Sequence, residues 1–510
     1  MDSPWQAEEL TIPKFHELLR KDPSNGPRLV KKYLSAITQH NGTLKALISI
    51  NSTALETALQ KTTTTLTYNQ TNNPFPALHS IPLILKDNYS TTDQPTSAGV
   101  LALQNLKTTT DSAVVAHLRA AGAIILAKAN LHEFALQGIT RSSLGGQTLN
   151  PHDKTRTPGG SSGGTAAALA AGFGLVGCGT DTMNSLRSPA SACGVVGFRP
   201  STGRVSCVGI VPVSRTQDAA GPMAGCVGDV RILYGVMKGP DGDGISSLGV
   251  DEGLPRREDR QVRIGILEAY FQPEICTDES ESEAEAEYLA ENEIVQDVIR
   301  SSLDSIQEHD ADIIFVPIAP SSHPDWSPET LFANGDTQAF EFKHYLDEFL
   351  QSPLVSSIPH RSLESIAQSG EFDPHAVTHV FSAALEDPER FSLTSEAYRS
   401  RLEYIAALKE SVAECFDRYD IDALVYPHQR RLPVKIGAKK QSGRNGVLAA
   451  LTGRPAICIP AGRSPKTASA ALGVPVGLEL IGRRWGDDEL LDIAERVEGI
   501  IKGRVVPVIH

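Results

Sequence analysis

The sequence feature that most constrains the fold is a run of small residues between positions 155 and 200. It contains two serines in special settings: Ser161 lies in GGSSGG, and Ser185 lies in GTDTMNSLR, which begins at Gly179. The stretch between them is rich in Ala and Gly, which allows a helix and a strand to pack at short distance. The pattern therefore predicts two serine-bearing loops that are held rigidly near each other.

Three common explanations of a Gly/Ser-rich loop do not fit the surrounding sequence. A flexible linker is excluded because an apolar, helix-forming segment follows immediately. A phosphate-binding loop is excluded because no Gly-Lys-Ser/Thr follows the glycines. The motif also differs from the Gly-x-Ser-x-Gly turn of the α/β-hydrolases.

GGSSGG, the second serine 24 residues later, and the flanking Asp181 and Arg187 together resemble the amidase signature family, including its fungal and bacterial amidases. The resemblance covers about residues 1–240 and 420–500. It implies an α/β fold in which a large mixed β-sheet is flanked by helices on both faces and carries a helical cap insertion.

The resemblance also implies a Ser-Ser-Lys triad. Ser185 is identified as the nucleophile, Ser161 as a bridging serine that follows a cis peptide bond after Gly160, and Lys86, at the end of the apolar segment IPLIL, as the base. The backbone N–H groups expected to form the oxyanion hole belong to Thr182, Met183, Asn184 and Ser185. Residues expected to support the site from behind are Ser162, Asp181 and Arg187.

A lysine can act as the base only when it is neutral, although the ordinary pKa of its side chain is about 10.4. Burial without a carboxylate partner lowers that pKa by disfavouring the ammonium form. Asp87 would oppose this effect if it reached Lys86, but side-chain alternation along a strand is expected to direct it to the opposite face. The implied reaction is amide hydrolysis through an acyl-enzyme on Ser185, with no metal and no organic cofactor.

One departure from the family pattern lies next to the nucleophile. Many relatives have Gly-Gly or Gly-Asn there, whereas this chain has Met183-Asn184. Methionine adopts a positive φ only at a cost. The pair therefore predicts either a strained loop or one in a different conformation, with an added apolar group beside Ser185.

Charge and composition limit the partners. A formal net charge of −14 argues against a nucleic-acid surface, whose footprint is basic, and against anionic membranes. Neither a signal peptide nor an 18-residue apolar segment is visible. We expect a cytoplasmic enzyme that acts on a small-molecule amide, with no nucleic-acid or membrane partner; a homodimer is compatible with the sequence.

Other reactive side chains near the motifs are expected to be structural. Cys178 and Cys193 lie in apolar or small-residue runs, which favours packing over nucleophilic roles. His132 and Glu133 follow a predicted strand, and the family gives neither a catalytic role.

We predict a single domain over residues 1–510. Its parts are N-terminal helices (1–60), a catalytic core (75–240 and 420–500) and a variable substrate cap (255–420). Two further segments are predicted to be irregular: a polar surface loop over 60–76 and a connector over 239–262.

Two alternatives remain open. The same fold serves in complexes such as the glutamine-dependent tRNA amidotransferases, and a pull-down of partner subunits would reveal this. The second alternative is a catalytically impaired or biosynthetic protein, which Met183 suggests. Labelling with a fluorophosphonate probe would separate it from an active enzyme.

Overall fold

The computed structural model describes residues 10–238, 261–273, 282–356 and 358–509. In this part of the chain, eleven strands form one mixed sheet and two short strands form a separate hairpin. In chain order the strands are β1 (Leu47–Ile50), β2 (Pro82–Lys86), β3 (Ile124–Ala129), β4 (Arg141–Ser142), β5 (Gly146–Gln147), β6 (Val176–Asp181), β7 (Val196–Arg199), β8 (Ala219–Ala224), β9 (Val262–Leu267), β10 (Ile313–Ile318), β11 (Ala423–Pro427), β12 (Ala456–Arg463) and β13 (Pro475–Gly482).

The α-helices of the described residues pack around this sheet and against each other. They are α1 (Ile12–Lys21), α2 (Asn25–Leu44), α3 (Ala54–Thr71), α4 (Ala113–Ala120), α5 (Gly163–Ala170), α6 (Arg187–Cys193), α7 (Val227–Met237), α8 (Ser282–His309), α9 (Pro328–Gly335), α10 (Gln338–Gln351), α11 (Leu363–Ser369), α12 (His379–Glu386), α13 (Glu396–Arg418), α14 (Val447–Thr452) and α15 (Asp487–Ile501).

The sheet mixes parallel and antiparallel pairs, in the order β1-β3-β2-β6-β8-β7-β12-β13-β11-β9-β10. Strand β2 is parallel to both β3 and β6, whereas β8 is antiparallel to β6 and β7. Every residue of β2, β6 and β8 is buried, although successive side chains point to opposite faces. Both faces are therefore covered here, and the predicted large mixed sheet flanked by helices is confirmed.

The small residues between the two serines form one helix and one strand, as predicted. The glycines after the serine pair begin α5, which packs against β2 and β6. Each residue of α5 is buried, so this helix has no solvent-exposed face. The expected strand ending at Lys86 is confirmed as β2. Helices α1 and α2 lie in the segment 1–60, where N-terminal helices were expected.

The prediction of a surface loop over residues 60–76 is wrong, because α3 continues to Thr71. The threonine hydroxyls bond within the helix: Thr65 donates to the carbonyl oxygen of Lys61 at 2.8 Å, and Thr71 to that of Thr67 at 2.9 Å. Packing against α2 and β3 adds tertiary stabilisation. Irregular structure begins only at Asn72.

The segment 255–420 occupies two places in the fold. Its strands β9 and β10 pair in parallel at one edge of the sheet. Its helices α10 and α12 pack together over a second hydrophobic cluster, in which Phe342, Leu346 and Phe381 surround Phe134 of the core segment. Most of the predicted connector over 239–262 lies outside the described residues. Among the described helices, none combines the length and apolar character needed to cross a bilayer.

Candidate active site

Two neighbouring parallel strands bring the predicted lysine and the nucleophile loop together. Strand β2 ends at Lys86, and its neighbour β6 ends at Asp181, just before residues 182–185. Because the carboxyl ends of parallel strands meet at the same edge of a sheet, the two segments converge there. The pairing of β2 with β6 thus brings Lys86 close to residues 182–185, although they are far apart in sequence.

Lys86 contacts one of the two predicted serines directly. Its Nζ lies 2.7 Å from Oγ of Ser161 and 2.7 Å from Oγ1 of Thr180, and its side chain is fully buried. Thr180 had no role in the sequence prediction. Its position near the end of the strand beside β2 is the signal that could have identified it. Two hydroxyl groups therefore hold the amine in place.

Burial lowers the pKa of Lys86 to about 7, while the carboxylates of Asp181 and Asp218 act in the opposite direction. Asp87 points away, as alternation predicted, and its Oδ1 lies 3.1 Å from Nζ of Lys128. A substantial fraction of Lys86 is consequently neutral near pH 7, which is the form that accepts a proton.

The serine loops are joined through Ser162. Its N–H donates to the carbonyl oxygen of Ser185 at 3.1 Å, and its Oγ donates to that of Thr180 at 3.1 Å. The peptide bond between Gly160 and Ser161 is cis. Ser161 is fully buried and Ser185 is 7% exposed. A hydrogen bond between the hydroxyls of Ser161 and Ser185 is not among those formed by the described residues.

The predicted oxyanion donors lie together on the turn after β6. No hydrogen bond joins the backbone N–H groups of residues 182–185 to an acceptor elsewhere in the described part of the chain. Neither Met183 nor Asn184 has a positive φ, so the strain considered for Met183 is absent. The side chain of Thr182 is fixed separately, since its Oγ1 donates to Asp218 at 2.6 Å.

Asp181 and Arg187 support this turn from behind. Arg187 donates to Asp181 through Nε at 3.1 Å and to the carbonyl oxygen of Met183 at 2.6 Å. Burial raises the pKa of Asp181, but the guanidinium groups of Arg187 and Arg199 outweigh it and hold the pKa well below its usual range. The pair is fully buried and does not line the cavity, so its contacts are those of a brace.

A cavity of about 430 Å³ opens onto the nucleophile loop. Residues 182–185 line it, and the cap contributes Asp336 from the segment between α9 and α10 together with Gln338 and Ala339 from the start of α10. Its size lies within the range of small-molecule sites. A second cavity, of about 660 Å³ between α8 and the end of β12, contains none of the predicted site residues.

The remaining reactive residues have structural surroundings. Cys178 and Cys193 are buried, and burial raises the pKa of each thiol. His132 donates to the carbonyl oxygen of Ala376 at 2.7 Å, and Glu133 accepts from the N–H groups of two loops. Among the described residues, no group of His, Cys, Asp or Glu side chains could hold a metal ion.

The chain is similar to known amidases and amidotransferase subunits in sequence and in structure. A family model described as Amidase matches residues 28–286 and 376–491, well over half of the chain. The A subunit of the glutamyl-tRNA(Gln) amidotransferase of Thermoanaerobacter pseudethanolicus is 28% identical over 515 residues, covering 98% of this chain and 98% of that protein.

Two solved structures are also similar. The native peptide amidase from Stenotrophomonas maltophilia has a TM-score of 0.77 and 28% identity, with 95% of each chain covered. An amidase family protein from Bacillus anthracis has a TM-score of 0.77 and 25% identity, covering 98% of this chain and 93% of that one.

Proposed function

The chain belongs to the amidase family, and from this premise we propose that it hydrolyses the C–N bond of a carboxylic amide through a Ser-Ser-Lys triad. The observation that carries the proposal is the 2.7 Å contact between Nζ of the buried Lys86 and Oγ of Ser161. The nucleophile in this scheme is Ser185, which lies on the wall of the cavity.

In the first half of the reaction, neutral Lys86 accepts the proton of Ser161 while Ser161 takes the proton of Ser185. The freed electron pair on Oγ of Ser185 forms a bond to the amide carbon. Negative charge then develops on the amide oxygen, where the N–H groups of residues 182–185 would stabilise it. One such donor contributes about 3–4 kcal/mol to transition-state stabilisation.

The intermediate collapses when Lys86 returns its proton through Ser161 to the leaving nitrogen. The C–N bond breaks, ammonia or an amine departs, and an ester on Ser185 remains. Water then attacks the ester carbon and gives up its proton to Lys86 along the same route. Returning that proton to Oγ of Ser185 releases the carboxylic acid and restores the enzyme.

The test is turnover of purified protein on matched primary amides, anilides, carbamates, esters and C-terminal peptide amides. We expect hydrolysis of at least one amide class, with release of equal amounts of acid and amine. A fluorophosphonate probe should add its mass to the peptide that contains Ser185. Turnover of amides without such labelling would contradict the role of Ser185, and no turnover of any amide would contradict the function.

A second candidate function is that of one component in an amidotransferase complex. The favouring observation is that the amidotransferase component from Thermoanaerobacter pseudethanolicus matches 98% of this chain and is itself matched over 98% of its length. In that case, the isolated chain should hydrolyse a donor amide only weakly and gain activity when partner proteins are added. Affinity purification from native cells, followed by mass spectrometry, distinguishes a stable complex from a free amidase.

A further inference from the structure

The side-chain amide of Gln217 lies between the nucleophile loop and the cap. Its Oε1 accepts two hydrogen bonds from Thr337, from the backbone N–H at 2.9 Å and from Oγ1 at 2.6 Å. Its Nε2 donates to Sδ of Met183 at 3.5 Å. Gln217 is fully buried. One end of its amide contacts the cap at Thr337, and the other end contacts the nucleophile loop at Met183. The two donors on Thr337 also fix which end of the amide faces the cap.

Thr337 is the N-cap residue immediately before α10, yet its hydroxyl does not cap that helix. A threonine in this position ordinarily accepts from a backbone N–H of its own first turn. Here Oγ1 donates to Gln217 instead, which ties the start of α10 to the core. The residues on either side of Thr337, Asp336 and Gln338, line the cavity. Gln217 therefore holds the cap wall of the cavity.

Met183 belongs to the second wall, which the nucleophile loop forms. Its side chain is buried to 5% exposure and also lines the cavity. A thioether is flexible and has several accessible rotamers, so a single donor at its sulfur restricts where it lies. Gln217 is thus in contact with one residue of each wall, across a chain separation of 34 residues to Met183 and 120 to Thr337.

Neighbouring residues strengthen the same connection. Glu341, also on α10, accepts from the backbone N–H of Thr216 at 3.1 Å and from the hydroxyl of Tyr398 at 2.6 Å. On the other side, Asp218 accepts from Thr182. Three consecutive residues therefore connect the cap to the nucleophile loop. Thr216 contacts the cap, Gln217 contacts both walls, and Asp218 contacts Thr182 on the turn after β6.

We propose that Gln217 is a positioning residue that fixes the distance between Met183 and the start of α10, and thereby selects substrates by the size of the group bound between these walls. This inference rests on the proposed amide hydrolysis for its substrate. It predicts that the enzyme prefers amides with a compact group at this point. It also predicts that the preference is lost when the cap and Met183 are no longer joined.

The kinetic test compares wild type with Gln217→Leu, which keeps the size of the side chain and removes both sets of hydrogen bonds. The readout is the ratio of kcat/KM for a compact amide to that for a bulky amide. We expect this ratio to fall at least tenfold, mainly through a lower KM for the bulky substrate. A merely structural role would lower both values in proportion and leave the ratio unchanged, which would overturn the proposal.

Two matched variants separate the halves of the connection. Thr337→Val removes the hydroxyl on the cap side, and Met183→Leu removes the sulfur acceptor at similar volume. Each should shift the ratio in the same direction and by less than Gln217→Leu. The double variant Gln217→Leu/Thr337→Val should match Gln217→Leu alone, because residues that act through one contact are not additive. If the effects of Gln217→Leu and Thr337→Val on the kcat/KM ratio simply added in the double variant, the proposed connection would be contradicted.

Hydrogen exchange provides a readout that does not require turnover. If Gln217 joins the two walls, Thr337→Val on the cap should speed exchange at least threefold both around residue 337 and at the amides of Leu186 and Ser188, which are hydrogen-bonded to Asp181 and to Asn184 of the nucleophile loop. Faster exchange confined to the cap would overturn the proposal even in a fully active enzyme. If wild type cleaves no amide, the proposed function fails, while this measurement still decides whether the walls are coupled.

Discussion

Asp87 and Lys128 form a buried ion pair on the side of the sheet that faces away from Lys86. Oδ1 of Asp87 lies 3.1 Å from Nζ of Lys128, and the two side chains are 2% and 0% exposed. Asp87 also accepts from the N–H of Ser97 at 3.1 Å. The carboxylate next to Lys86 in sequence is thus occupied elsewhere, and burial can lower the pKa of Lys86 to about 7.

This pKa predicts the pH dependence of the reaction. The base must be neutral, so kcat/KM should be constant above about pH 7 and fall tenfold per pH unit below it. A pH–rate profile between 5 and 9 on an uncharged amide measures the acid limb. A kcat/KM that still rises tenfold per pH unit up to pH 9 would mean that Lys86 remains an ordinary ammonium group in the free enzyme.

The same shift predicts a change in stability with pH. Because the folded-state pKa of Lys86 is lowered, the unfolded chain binds an extra proton between about pH 7 and 10.4. Wild-type stability should therefore rise with pH across this window, by up to about 4 kcal/mol over three pH units. In this pH window the unfolded chain holds a proton on Lys86 that the folded protein has already released. Raising the pH makes that proton harder to hold, which destabilises the unfolded state relative to the folded one.

Lys86→Met lacks this contribution. The melting temperature of wild type relative to Lys86→Met should increase as the pH is raised from 7 to 10, as measured by thermal scans of both proteins. Lys31→Met, at an exposed position, controls for the loss of a lysine. Parallel curves for wild type and Lys86→Met would contradict the lowered pKa.

The proposed triad is tested by three substitutions and a neighbouring control. Ser185→Ala should abolish turnover and probe labelling. Ser161→Ala and Lys86→Met should each lower kcat by about 10²–10⁴-fold, the usual contribution of general acid–base catalysis. Steady-state kinetics and circular dichroism measure activity and folding together.

Ser162→Ala is the matched control, because Oγ of Ser162 contacts Thr180 rather than Lys86. It should retain far more activity than Ser161→Ala. Equal losses for the two serine variants, or near-normal activity of Lys86→Met, would be incompatible with a lysine base acting through Ser161.

Met183 should limit the size of substrate. Its φ is not positive, so the side chain acts as a wall of the cavity rather than as a source of strain. Met183→Gly removes that wall and should raise kcat/KM for bulky generic amides. A natural substrate fitted to Met183 should instead show a lower kcat/KM. Unchanged kinetics on every amide would show that Met183 does not contact substrate.

Local rules predicted several structural features of the site region, whereas the roles of Lys86, Ser161 and Ser185 were implied by the family resemblance. The GGSSGG loop, the strand ending at Lys86 and the opposite direction of Asp87 depend on backbone flexibility and on alternation along one strand. The same rules failed over residues 60–76. Threonine and asparagine are typical of turns, but in α3 the threonine hydroxyls bond to carbonyl groups inside the helix and tertiary packing stabilises it.

The sequence by itself determined which residues could carry the chemistry: a lysine at the end of a buried strand and two serines in loops that favour close packing. Only the tertiary structure decided what those residues meet. Thr180 reaches Lys86 because β6 lies beside β2, and Gln217 reaches Thr337 across 120 residues of chain. Such contacts follow from strand order and from the packing of the cap on the core. No periodicity within a segment encodes them, because hydrophobic and hydrogen-bonding patterns specify which face is buried and not which distant residue covers it.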